Sequence, residues 1–359
     1  MYKVKKIICD GKDLSLNLTD CQSLEELVVD GAVSIDVSHC PLLKILDCSY
    51  LQMAKLDFSN NPVLTDIKLY DSKVENITFG NNTQLINFEI QGMIISETNI
   101  LNFSNFKALK SVRITSINFD ELNFSGCTSL ENLVVQQVWS MESLILTGCS
   151  ALTTLVCENN GSLYELNLEN CPNLVSLRCD NNHSLNELVV NNCPKLTVLS
   201  CQHNRLTSLK ANVENLTTIY CRGNNLAEIN ISNLSKLKDF DCSHNKITSL
   251  DFSGCLSLEI LQCNNNNINL MNIKGCKSLK DIFASNCQLK SLDIADCTEL
   301  ISLDVSNNNL QPSLDISKNA VLSRLDCSDN SLLKELKIKR NNSIQTLNKD
   351  TETQIVLVD

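Results

Sequence analysis

A motif of 21 residues recurs along almost the whole chain, and it restricts the fold more than any other feature. It reads most cleanly from Leu237 to Ser257, LKDFDCSHNKITSLDFSGCLS. The next stretch opens the same way, with Leu258, Leu261 and Cys263 repeating Leu237, Phe240 and Cys242. A fixed period of this size signals stacked units, each leaning on its neighbours, in place of one enlarging core. The leading position of LxxLxCxxNxLxxLxLxxCxx is held by Leu24, Leu43, Leu64, Leu85, Leu109, Leu130, Leu152, Leu174, Leu196, Leu216, Leu237, Leu258, Leu279, Leu300 and Leu322. Val4, Ile7 and Cys9 read as a partial coil before them, and Ile344 and Leu347 as a degenerate one after.

Spacings are mostly 21 or 22 residues. Leu24 to Leu43 is 19, a trimmed coil, and Leu85 to Leu109 is 24, with the excess in QGMIISETNILNF, expected to be a bulged loop. Each coil holds two short alternating patterns, such as Leu261-Gln262-Cys263 and Leu250-Asp251-Phe252. Period-two alternation over so few residues predicts short strands, and pieces such as SGCLSL predict tight turns. The expectation is a mainly β solenoid of about 16 coils, two short parallel strands per coil, with little or no helix. A single coil buries too little apolar surface to offset the entropy of ordering its backbone, so stability must come from stacking. The chain is read as one solenoid domain over 1–359, with 1–23 a partial coil and 341–359 a degenerate coil with a capping strand at Ile355–Val358. The lysines of MYKVKK can blunt the other exposed edge.

The pattern resembles the leucine-rich repeats and, more narrowly, their 21-residue IRREKO-type subclass, whose repeat reads LxxLxLxxNxLxxLDLxxN. LDVSNNNLQPSLDIS and DCSHNKITSLDFSGC carry the resemblance, which covers practically the whole chain and is strongest from Leu152 to Leu336. Earlier coils depart from it, with Leu51, Ser72, Met93 and Val138 at the Asn position, and Cys often replaces the terminal Asn. The resemblance implies a solenoid used for protein–protein contact, found mainly in bacteria and some protists, with no activity of its own.

The repeat also sorts the polar residues. Asn160, Asn182, Asn204, Asn224, Asn245, Asn266, Asn308 and Asn330 form a row, with Cys287 in the same slot. Their amides suit buried backbone groups at a turn. The other 18 of the 19 cysteines fall into two rows, one ending the first strand pattern (Cys157, Cys179, Cys201, Cys221, Cys242 and Cys263 among them) and one in the turn before the next Leu (Cys127, Cys149, Cys171, Cys255 and Cys276 among them). Both rows are expected to point inward as small hydrophobes. No CxxC pair or Cys/His cluster supports a metal. Parallel Cβ vectors on neighbouring strands make poor disulfide geometry. A row of Asp36, Asp57, Asn102, Asn123, Asn167, Asn230, Asp251, Asn272, Asp293 and Asp315 on the second strand is read as a solvated face, not a cation site. The four histidines, His39, His183, His203 and His244, fall in loops or at strand ends without the partners of a triad. No catalytic residue, cofactor or metal is expected.

Apolar residues are 43% of the chain and aromatics only 4%, which predicts a narrow interior. The net charge of −11 argues against nucleic acid and against an anionic membrane surface. No apolar run is long enough to span a bilayer. Reduced thiols suggest a cytoplasmic location, the alternative being a secreted or surface protein whose export signal has been removed. The outward positions of the first strand are free to recognise a partner: Arg178, Ser200, Tyr220, Asp241, Gln262, Phe283, Asp304 and Asp326. Arg178, Gln202, Tyr220 and Arg222, with His203 beside them, form the candidate partner-binding patch, because Arg and Tyr are enriched in binding hot spots. Phe283 is expected as an exposed aromatic, and Trp139 marks a second patch or packs across a loop. Scattered exposed aromatics are also ordinary, so a plain solvated surface stands beside this reading. The leading expectation is a monomeric, non-enzymatic scaffold that binds a protein; the alternatives are a surface adhesin or a carbohydrate binder.

Overall fold

The computed structural model describes residues 3–92 and 100–358. It divides into two compact units, Met1–Leu185 and Asn186–Asp359. Among the described residues every regular element is a strand and none is a helix. In the first unit these are β1 (Lys6–Ser15), β2 (Glu26–Ser34), β3 (Ile45–Ser49), β4 (Gln52–Asp57), β5 (Asp66–Tyr70), β6 (Lys73–Thr78) and β7 (Asn87–Gln91). They continue as β8 (Ile100–Asn102), β9 (Ser111–Thr115), β10 (Glu121–Asn123), β11 (Asn132–Gln136), β12 (Ser143–Ile145), β13 (Thr154–Glu158) and β14 (Ser176–Arg178). The first strands of successive coils, β1, β2, β3, β5, β7, β9, β11, β13 and β14, pair in that order and in parallel. The second strands pair in separate ladders, β4 with β6 and β8 through β10 to β12.

The second unit repeats the plan. It carries β15 (Glu187–Val189), β16 (Val198–Ser200), β17 (Ser208–Lys210), β18 (Thr218–Tyr220), β19 (Asp239–Asp241), β20 (Ser249–Asp251), β21 (Ile260–Gln262) and β22 (Leu270–Asn272). It ends with β23 (Asp281–Phe283), β24 (Ser302–Asp304), β25 (Ser313–Asp315), β26 (Arg324–Cys327), β27 (Glu335–Lys339), β28 (Thr346–Lys349) and β29 (Gln354–Val358). Its first strands are β16, β18, β19, β21, β23, β24, β26 and β28, all parallel. The chain is an all-β parallel solenoid of about 16 turns.

Pairing is in register, so each inward residue meets its own counterpart: Leu46 lies opposite Ile67, Ile67 opposite Phe88, and Phe240 opposite Leu261. All fifteen leading leucines, from Leu24 to Leu322, are fully shielded from solvent. Most first strands are followed by one left-handed residue set just before the Asn slot: Tyr50, Asp71, Gly92, Ser116, Gln137, Asn159 and Asn181 in the first unit, then His203, Gly223, His244, Asn265, Asn286, Asn307 and Asp329 in the second. Gly, Asn and His are the types that reach this conformation at low cost. In the trimmed coil the turn residues are missing, so β2 runs nine residues through both strand positions and bends at Gly31, where φ is +87°. The bulge expected in 91–103 falls largely on residues outside those described.

One expectation about packing changes. The interior is not uniformly narrow: Phe79 lies between Phe58, Phe88, Phe103 and Phe106 with ring centroids 5.3–5.9 Å apart, and Phe103 stacks on Phe124 at 5.1 Å. The few aromatics of the chain are concentrated there, which the overall percentage hides. At the C-terminal end, Ile355–Val358 lies in β29 as the second strand of the last coil, with Ile355 opposite Leu336. Ile355 and Leu357 remain exposed.

Candidate interaction face

The inward half of each coil is occupied with holding the coil. Asn245 shows how: its Nδ2 donates to Cys221 O and Cys242 O, both at 3.0 Å, and its Oδ1 accepts from Leu226 N at 3.0 Å. Asn224, Asn266, Asn308 and Asn330 repeat this set in the second unit. Asn182 does so in the first unit, its Oδ1 accepting from Asn160 N. Where the sequence departs, weaker groups stand in. The Cys287 thiol donates to Cys263 O at 3.3 Å, and Ser72 accepts from Leu51 N at 3.0 Å while donating to Tyr70 O at 2.8 Å.

The turn cysteines are more than filler. Cys127, Cys149 and Cys255 donate their thiols to Phe103 O, Phe124 O and Ile231 O at 3.1, 3.3 and 3.2 Å. Asn319 fills the same row and reaches Ile294 O at 3.0 Å and Cys297 O at 2.8 Å. All nineteen cysteines are free thiols, Cys9 and Cys21 half-buried and the rest buried. Burial pushes the thiols of Cys149, Cys157 and Cys276 up to about 12. The Asp/Asn row of the second strands is likewise employed. At all ten positions, from Asp36 to Asp315, the side-chain Oδ1 accepts the backbone N–H two residues on, at 2.8 to 3.3 Å. These are Asx turns that close each coil. Among the described residues no group of three His, Cys, Asp or Glu is placed to hold a metal.

What the coil does not use faces outward from the first strands. In the second unit one outward row runs Ser200, Tyr220, Asp241, Gln262, Phe283, Asp304 and Asp326, and a parallel row runs Thr218, Asp239, Ile260, Asp281, Ser302 and Arg324. Tyr220 OH donates to Asp239 Oδ2 at 2.6 Å. Arg222 Nη2 lies 3.2 Å from His244 Nε2, and since a guanidinium only donates, that ring nitrogen accepts. Asp304 and Asp326 each accept from the backbone and the hydroxyl of the serine two residues on, Ser306 and Ser328. On the second-strand side of the same unit an open polar cleft is lined by Lys210, Glu228, Asn230 and Asp251.

The architecture has known counterparts. The functional domain of InlJ from Listeria monocytogenes, described as including a cysteine ladder, superposes with a TM-score of 0.63 at 22% identity, covering 99% of this chain and 69% of that one. A leucine-rich-repeat protein of Leptospira interrogans gives 0.67 at 19% identity, covering 96% and 93%. Drosophila Toll, in its complex with Spatzle, gives 0.54 at 15% identity, covering 95% of this chain and 50% of that one. The fold is that of the leucine-rich repeats. No family model matches the chain, and neither does any curated protein.

Within this leucine-rich-repeat frame the expected patch separates into parts. Arg178 belongs to the first unit, is exposed, and places Nε 3.7 Å from Glu158 Oε1. Gln202 and His203 follow β16, and Tyr220 and Arg222 sit on and just beyond β18, the adjacent strand; His203 N donates to Arg222 O at 2.8 Å. His203 is exposed, while Gln202, Tyr220 and Arg222 are half-buried. Phe283 lies three strands from Tyr220 along the same row. It is half-buried, not the exposed aromatic expected, because its row neighbours are side chains and not solvent. Ser200 and Asp241, expected to be free to vary, are only 2% and 6% exposed. Trp139 in the first unit is 57% exposed, its ring resting over Gly161. Sequence reasoning placed Ser243 among the outward positions but missed Asp239 and His244 as members of the face. The signal that was available is Asp-x-Ser, repeated at Asp241–Ser243, Asp304–Ser306 and Asp326–Ser328.

Proposed function

We propose that the chain is a non-enzymatic scaffold that binds a protein through the outward face of its first strands. In the second unit the contact centres on Gln202, His203, Tyr220 and Arg222, with Phe283 at its far side. The observation that carries this reading is the division of labour across the coil. Leu, Cys and Asn positions are consumed by packing and by backbone carbonyls, and the Asp/Asn row by turn closure, which leaves the outward rows for recognition. Tyr, Arg and Phe gathered there are the types that dominate binding energy. A leucine-rich-repeat neighbour, Toll, is seen in complex with a protein, Spatzle, which supports the use of such a fold for this purpose. The 19- to 24-residue spacing, centred on 21, supports assignment to the 21-residue subclass. The free thiols support residence where cysteines stay reduced, as in cytoplasm.

The test is affinity capture with wild-type protein against Arg178→Glu/Tyr220→Ala/Arg222→Glu, coupled to cross-linking. Loss of the captured protein from the variant, with cross-links mapping to the outward rows, is expected. Equal recovery by both proteins overturns the reading.

A further inference from the structure

On the outward face in the second unit, three neighbouring side chains keep polar atoms without the partners that the fold supplies elsewhere. Asp239 and Asp241 flank inward Phe240 on β19, and Ser243 follows inward Cys242, so alternation sends all three to the outward side. Asp241 is 6% exposed and Ser243 is fully buried. The sister motifs Asp304–Ser306 and Asp326–Ser328 each close through the serine hydroxyl. In Asp241–Ser243 only the backbone N–H of Ser243 reaches the carboxylate, at 2.8 Å, and the buried Ser243 Oγ has no partner. Asp239 is similar: Oδ2 accepts from Tyr220 OH, but Oδ1 is buried and unpartnered. The ion pairs of this unit are Lys210–Glu187, Lys238–Glu259, Lys280–Glu259 and Arg324–Asp281. Neither Asp239 nor Asp241 takes part in one among the described residues.

Buried carboxylates are ordinarily paired, and buried hydroxyls and carboxylate oxygens ordinarily find donors. We propose that this spot is a socket for an arginine side chain of the protein partner, formed by Asp239, Asp241 and Ser243 with Tyr220 at its edge. The inference rests on the outward face being the binding surface. A cationic guest supplies the missing charge. Arginine suits the geometry better than lysine, because its planar fork offers five donors to acceptors on both carboxylates and the hydroxyl. The Tyr220 ring, on the strand next to Asp241, gives the guanidinium a face to stack on. A divalent ion is the poorer guest, since no third ligand of metal-binding type is placed with the two carboxylates among the described residues.

The probe is a hexa-arginine peptide, titrated calorimetrically into the full chain at low and at high salt, with hexalysine and hexaglutamate for comparison. Wild type is expected to take hexa-arginine in preference to hexalysine and to ignore hexaglutamate. Asp239→Asn/Asp241→Asn is expected to weaken hexa-arginine by at least about ten-fold, as removal of a desolvated charge partner does. Ser243→Ala, which leaves net charge unchanged, weakens it less. The control is Asp293→Asn/Asp315→Asn on the second strands, where Asn already serves the same turn in sister coils; it should leave binding intact. Equal weakening by both pairs means a general attraction to an acidic chain and overturns the socket, as does no preference for arginine. Melting temperatures guard against misfolding: relief of two unpaired carboxylates should leave Asp239→Asn/Asp241→Asn at least as stable as wild type. If partner capture survives Asp239→Asn/Asp241→Asn but is lost in Tyr220→Ala/Arg222→Glu, the socket fails while the interaction face stands. Loss of capture in neither variant sinks the face itself.

Discussion

At the scale of single residues, the chain solves one problem repeatedly, which is how to satisfy backbone groups at a buried corner. An asparagine amide does it with three hydrogen bonds, a thiol with one. Asn245→Leu strands Cys221 O, Cys242 O and Leu226 N, and is expected to lower unfolding free energy by about 1–3 kcal/mol in a urea titration. The Asn row was legible because one residue type recurs at one spacing. The thiols' donor role was not, since it depends on the distance to a carbonyl some 24 residues away, as from Cys255 to Ile231. Thiol titration gives a second test. Cys149, Cys157 and Cys276 have pKa values raised by burial above the ordinary 9.0, so the folded state favours the neutral thiol. Stability is therefore fully present below pH 9 and falls as pH rises from there toward 12. Urea midpoints that stay flat across that window would contradict buried, protonated rows. Ellman's reagent near about pH 8 should react slowly with native protein and fully after denaturation.

At the scale of elements, the strand and its corner are a unit. Alternation located the first strand of each coil, because away from the two ends the inward residue of these strands is apolar and covered. Gly223 shows what the corner requires. Its φ is +70°, and a Cβ there would lie 2.6 Å from His203 Nδ1, so the glycine both takes the left-handed turn and gives the His203 ring its place. Gly223→Ala is expected to cost about 1–2 kcal/mol in stability and to shift the His203 ring resonances in an NMR spectrum. An unchanged His203 environment would show that the ring does not rest on Gly223. Second strands were less regular than their pattern: between β17 and β20 the segment 228–230 forms no strand, although Glu228-Ile229-Asn230 fits the motif. Three residues of alternation specify direction; whether a ladder forms depends on the spacing of both neighbours.

At the scale of the whole molecule, stability is a sum of like interfaces. Leu216→Ala and Leu300→Ala, both in fully shielded positions of the second unit, are each expected to cost about 2–5 kcal/mol. Four coil-to-coil steps separate them, roughly 19 Å at the usual strand spacing. Their coupling in a double-mutant cycle should be no more than about 0.5 kcal/mol, and a larger value would mean that coils report on more than their neighbours. From its period and its inward rows, the sequence alone determined a stack of short parallel strands with leucine, cysteine and asparagine inside. The reason is that these rows meet copies of themselves, so one coil predicts the next. Tertiary structure alone decided which outward residues are covered and which polar atoms are closed. Asp241 and Asp304 stand in the same motif, yet only one keeps an unpartnered serine beside it. That difference comes from side chains on neighbouring coils, whose size and charge do not repeat.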